Sequence, residues 1–187
     1  MENSSMDIIG IFVSAILMFI VPLFLIADRS DDVSQLVAQT STNEFVNEVI
    51  KSGTITSDNY QRFTSTLFSS GNTFDIDLEV KILDKTTSKV VTDKDSREIG
   101  NNSYYSLYTS QVEDKIGKSS ETSSSNNRYG KLILKQGDQV SVTVRNSSKT
   151  LSQSLKNMYY NVTGTDIHII VAASSGTVAI NGSTGTT

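Results

Sequence analysis

Cysteine is absent from this chain of 187 residues, and proline and histidine occur once each. Without thiols there is neither a disulfide scaffold nor a thiolate metal site. The single histidine, His168 in DIHIIVA, would need a nucleophile and an orienting acid beside it to form a catalytic triad, and no recognisable motif marks either one. It reads instead as a strand histidine facing solvent or a polar pocket. Serine-hydrolase elbows, phosphate loops, dinucleotide fingerprints and zinc spacings are all missing. Basic residues are few and unclustered, with 16 Lys and Arg against 20 Asp and Glu and a net charge of −4. Nucleic acid is therefore not an expected partner. The chain is expected to be no enzyme, with no cofactor and no metal.

One uncharged apolar run is present, Ile8–Ile26 (IIGIFVSAILMFIVPLFLI), and no second run approaches its length. A bilayer core of about 30 Å needs roughly 20 apolar helical residues, which this run supplies once Met6 or Ala27 is counted. A cleaved secretory signal would open on a basic segment and carry a shorter apolar stretch. Here the leading residues MENSSMD hold Glu2 and Asp7 and no Lys or Arg, so a retained segment is expected. Lys and Arg flanking the span do not decide its topology, because Arg29 stands amid three aspartates. The acidic, Ser/Thr/Asn-rich remainder suits an extracellular head.

The sequence divides into a hydrophobic helix over 1–27, a helical stalk over 28–52 and an α+β head over 53–187. No Gly or Pro interrupts Ala27–Lys51, so helix can continue beyond the apolar run. Val33, Leu36 and Val37 share one helical face, and Phe45, Val46, Val49 and Ile50 lie almost opposite, at about 100° per residue. Either one helix uses both faces or it breaks between them. Ser41-Thr-Asn-Glu44 has capping-box spacing, which favours a break or bend near Thr40–Asn43.

In the head, Thr56-Ser57-Asp58 predicts the start of a helix carrying Tyr60, Phe63, Thr64 and Leu67 on one stripe, with Gly71 as terminator. The period then falls to two. Phe74, Ile76, Leu78, Val80 and Ile82 alternate with Asp75, Asp77, Glu79 and Lys81, which predicts a half-buried strand with Lys89–Thr92 as a short partner. Lys131–Lys135 and Val140–Val144, separated by Gln136-Gly137-Asp138, predict a hairpin. Leu151, Leu155 and Met158 predict a short helix. Asp166–Ala172 and Thr177–Ile180 predict a last hairpin around Ala173–Gly176. Gly117–Asn127 reads as a polar loop and the tail from Asn181 as loose. The expected sheet is mainly antiparallel.

Other candidate features have plain readings. Asp75, Asp77 and Glu79 share a strand face as a cation site would require, but Lys81 beside them favours a solvated face. Asp93-Lys-Asp95 with Glu98 lacks the central glycine of a calcium loop, and Arg97 intrudes, so it reads as a polar turn. Sequons stand at Asn3, Asn101, Asn146, Asn161 and Asn181. Tyr104-Tyr105 and Tyr159-Tyr160 suit either adhesive contacts or partial burial.

A long N-terminal apolar helix before a polar, β-rich head resembles the plan of type IV pilins. Glu44–Ile82 (EFVNEVIKSGTITSDNYQRFTSTLFSSGNTFDIDLEVKI) and Lys135–Asn146 (KQGDQVSVTVRN) are similar to pilin-like, TadE-like proteins of tight-adherence (Tad/Flp-type) loci in Gram-positive, clostridia-like bacteria. The resemblance implies a subunit held in the membrane by its helix, then built by a pilus assembly machinery into an extracellular filament of copies of itself. Ile8, Gly10, Phe12, Leu17, Phe19, Pro22 and Phe24 would form the membrane and filament-core helix. Pro22 would permit a kink, and Gly10 close helix approach. Val33, Leu36 and Val37 would extend the packing between subunits. Pilins are usually trimmed after a small residue, with Glu fifth in the mature chain. A cut after Gly10 would put Ala15 there; either the chain is not trimmed there, or it already begins near its mature end and Glu2 or Asp7 takes the acid's role. The alternative is an anchored minor pilin or surface-binding accessory protein that does not polymerise.

Overall fold

The structure, a computed structural model, describes residues 2–83, 104–117, 130–160 and 170–182. Its dominant element is α1 (Glu2–Ser52), one α-helix of 51 residues. Then follow β1 (Thr54–Thr56), α2 (Ser57–Phe68), β2 (Phe74–Leu83), β3 (Tyr104–Tyr108) and α3 (Thr109–Gly117). The chain continues with β4 (Lys131–Ile133), β5 (Gln139–Asn146), α4 (Leu151–Tyr160) and β6 (Val171–Thr177). Four strands make one sheet in the order β3-β2-β5-β6, and β1 pairs with β4 apart from it. All pairs are antiparallel, so the chain has the expected α+β architecture of a long apolar helix before an antiparallel head.

The helix does not break at Thr40–Asn43, which corrects the capping-box reading. The Ser41 hydroxyl donates back to the Val37 carbonyl at 2.5 Å, one turn earlier in the same helix. A serine that bonds within the helix is not available as a cap for a new one. Ser41 and Thr42 are buried because this stretch lies on the head. Tertiary packing has overridden the local signal.

The second half of α1 is the spine of the head. Ala38, Phe45, Val46 and Val49 join Leu78, Val80, Val140, Val142, Val144 and Ala172 in one core. The period-two alternation along β2 and β5 sends those apolar residues to the helix-facing side of the sheet. Phe45 binds α2 to α1, its ring stacked on Phe63 at 4.7 Å between centroids and edge-on to Tyr60 at 6.1 Å. Thr56 caps α2 through a reciprocal box with Asn59, and Gly71 closes the following turn at φ +81°.

Two hairpins are not formed as expected. Lys131–Ile133 pairs with β1, while β5 pairs with β2 and β6. The chain turns at Gln136-Gly137, where the Asp138 carboxylate accepts from the backbone of Lys135 and Leu83. Leu134 meanwhile donates to the Gly53 carbonyl, which draws this strand away from β5. The segment Ala173–Gly176 is not a turn but the middle of β6. Its small residues let α1 lie close: a Cβ on Gly176 would collide with Ile50 Cδ1. Asn181 and Gly182 are not loose either, since Gln136 N–H donates to Asn181 Oδ1 and Gly182 N–H to the Leu134 carbonyl. The partner strand of β2 is β3; Lys89–Thr92 lies outside the described residues, as do residues 118–127 and the tail beyond Gly182.

Burial, then the hydrogen bond that Tyr60 donates to Glu113 at 2.7 Å and the charge of that carboxylate, push the tyrosine hydroxyl above its ordinary range. The folded state therefore holds a proton that the unfolded chain releases near pH 10, and stability falls as pH rises above that value. In Tyr60→Phe this fall should flatten between about pH 10 and about pH 11.5, measured as the difference in urea midpoint from wild type. Equal slopes in the two proteins would contradict the assignment.

Candidate functional site: the uncovered face of the long helix

The side chains of α1 divide by height and by face. Below Ala27 the helix touches little of the head: Phe12 is 67 % exposed and Phe19 78 %. Ile8, Leu17 and Pro22 are exposed as well, Phe24 is half-buried, and the space around Gly10 is open. The most apolar 18-residue window has a mean hydropathy of 2.9 with none of it buried. By length and composition this segment qualifies as a membrane anchor or a signal sequence. The helix runs through Pro22 without interruption, although the ring removes the N–H that would pair with the Met18 carbonyl.

Above Ala27 one face turns to the head. Ala27, Asp31, Ser34, Ala38, Ser41, Phe45 and Val49 recur at three- and four-residue spacing and are all buried. The opposite face carries Val33 and Leu36, which remain 59 % and 63 % exposed, with Val37 half-buried beside them. So a single helix places Phe45 and Leu36 on opposite sides, as the periodicity implies. The outward stripe through Pro22 and Ile26 continues past Arg29 to Val33 and Leu36. From Met6 to Val37 it spans roughly 46 Å at about 1.5 Å per residue, against a bilayer core of about 30 Å.

A polar clamp fixes the angle at which the helix leaves the head. Thr150 Oγ1 donates to Asp31 Oδ2 at 2.8 Å, and the Ser152 hydroxyl donates to Asp28. Both carboxylates thus sit at the start of α4, where the free N–H groups favour negative charge. Thr150 and Gln153 form a reciprocal cap at that end, at 3.1 and 3.3 Å. Asn72 Nδ2 donates to Ser34 Oγ at 2.9 Å. Gln35 pairs with Val171 as a strand would, donating to its carbonyl at 2.8 Å and accepting from its N–H at 3.0 Å. Reading the sequence missed this clamp. The signals available were the spacing of Asp28, Asp31 and Gln35 and the Thr150-x-x-Gln153 cap.

The remaining candidates are spread over the molecule. On the outer sheet face Asp77 lies 3.9 Å from Arg145 and Glu79 3.8 Å from Lys81, and the Ser106 hydroxyl donates to Glu79. An open groove of about 540 Å³ runs there past Asp75, Tyr108, Glu113 and Thr143. Among the described residues no group of three or more acids or histidines is placed to hold a metal. The Asp93–Glu98 turn, His168, Asn101 and Asn161 lie outside the described residues. Asn3 stands in the first turn of α1 and Tyr159-Tyr160 in the last turn of α4. The Asn146 sequon is buried, its Nδ2 donating to the Ser148 carbonyl, whereas Asn181 is exposed. Tyr104 and Tyr105 are exposed on edge strand β3.

No family model matches the chain, and neither curated proteins nor solved structures include a match. The class it defines is architectural: an antiparallel α+β head built on the second half of one long helix, whose first half projects bare and apolar.

Proposed function

We propose that the chain is a structural, pilin-like subunit of an extracellular cell-surface filament. The helix holds the head outside the cell membrane before assembly, and a pilus-type assembly machinery then moves it into a bundle of identical helices. One observation carries this reading: the outward apolar stripe does not end where lipid would end. Val33 and Leu36 stand at the level of the head, where water would meet them in an anchored monomer. A neighbouring copy of the same helix would cover them. Filaments need such heterologous, non-closing contacts, and a long apolar rod supplies one along its length.

Electron microscopy of sheared surface material, with mass spectrometry of its main component, tests the proposal. Thin filaments composed chiefly of this chain are expected. Surface material without filaments, with the chain confined to the membrane fraction, would instead favour an anchored accessory protein that does not polymerise.

A further inference from the structure

Within α1 only Arg29 and Lys51 are basic, and Lys51 closes the last turn at the top of the head. Arg29 is exposed on the outward stripe between Ile26 and Val33, while its neighbours Asp28 and Asp31 turn to α4 and bond there. At the other end of the bare segment stands Asp7, also exposed and followed by the uncharged run Ile8–Ile26. Neither Asp7 nor Arg29 has an ion pair among the described residues. The two charges are separated by about six helical turns, so they face nearly the same side and lie roughly 33 Å apart along the axis.

That separation suits two environments. In a bilayer with a core of about 30 Å, both side chains reach the headgroups on opposite surfaces. In a helix bundle without lipid, either charge alone is buried without a partner, which is strongly destabilising. Resting on the filament reading above, we propose that Asp7 of one copy pairs with Arg29 of the next, and that this pair sets the axial stagger between adjacent subunits at roughly 33 Å. The partner is thus a second copy of this chain, selected by charge as well as by apolar surface. A register about one turn longer is worse, because it sets Asp7 against the like charge of Asp32.

Charge exchange tests the pair in the full-length chain. Asp7→Arg and Arg29→Asp should each lower filament yield at least about tenfold, and the double exchange should restore it to within about twofold, as coupling between contacting residues requires. Membrane fractionation and protease resistance of the head check that each variant inserts and folds. Where a reversed charge prevents insertion, Asp7→Asn and Arg29→Gln replace it. Each neutral variant should then reduce yield, and the double neutral variant should be no worse than either single. Wild-type yield in the single variants, or additive losses in the double variant, would overturn the pair while leaving the filament reading intact. Absence of filaments from wild type itself would instead overturn that reading, and the pair with it.

Discussion

Replacing Val33 and Leu36 together by aspartate should abolish filaments while leaving the protein inserted and its head folded. Both side chains are more than half exposed and lie opposite the core face of α1, so the head loses no packing. Both also stand beyond Ile26, above the part of the helix that lipid would cover. The new charges therefore remain hydrated in an anchored monomer and cost little there. In a bundle they would be stripped of water against apolar neighbours, at several kcal/mol per charge, and the penalty repeats at every subunit. Surface exposure probed by added protease, together with filament counts, separates the two effects. Normal filaments from the double variant would mean that this stripe is not a contact between subunits. Aspartate at Leu17 or Phe19 is a weaker test, because it impairs insertion and assembly together.

Phe45→Ala should have the largest effect on the head itself. Its ring is 3 % exposed, stacks on Phe63 and touches Tyr60, so it joins α1 and α2. Truncating a buried phenylalanine costs about 3–5 kcal/mol, a large part of the roughly 5–15 kcal/mol that keeps a domain folded. Phe45→Leu keeps most of the volume and should cost about half as much or less. Urea denaturation of the detergent-solubilised chain, followed by tyrosine fluorescence, measures both variants. A loss below about 1 kcal/mol in Phe45→Ala would show that α2 is held by something other than this ring.

The features legible in the sequence were those with a strong period. The uncharged run announced the bare helix, and the alternation Phe74–Ile82 announced the central strand with its wet acidic face. Thr56 and Gly71 marked the ends of α2 through chemistry confined to a few residues. What stayed hidden depended on distant partners. Ser41-Thr-Asn-Glu44 has a capping pattern, yet Ser41 and Thr42 are buried against the head and the Ser41 hydroxyl bonds back to Val37, so the helix stays whole. Ala173–Gly176 has turn composition, yet its small side chains serve the close approach of Ile50. Leu132 and Val140 are close in sequence, but β4 is claimed by β1 instead.

The candidate surface divided in the same way. Its apolar residues could be named in advance, because each lies on a predicted helix of known period. Which face of α1 would be covered could not, since Asp31 and Ser34 are buried and Val33 and Leu36 are not, the reverse of their polarity. That inversion is the physical ground for expecting a second copy. Between Asp31 and Leu36 the helix turns Asp31 and Ser34 to its own head and Val33 and Leu36 outward, a local arrangement matched to a neighbour rather than to water.

The most direct test of self-packing is a photo-crosslinking amino acid placed at Leu36 of the full-length chain in intact cells. The expected product is a ladder of multimers, in which the crosslinked peptide comes from residues 6–26 of another copy. Capture of lipid alone, or of no protein at all, would contradict the claim that copies of this helix cover one another.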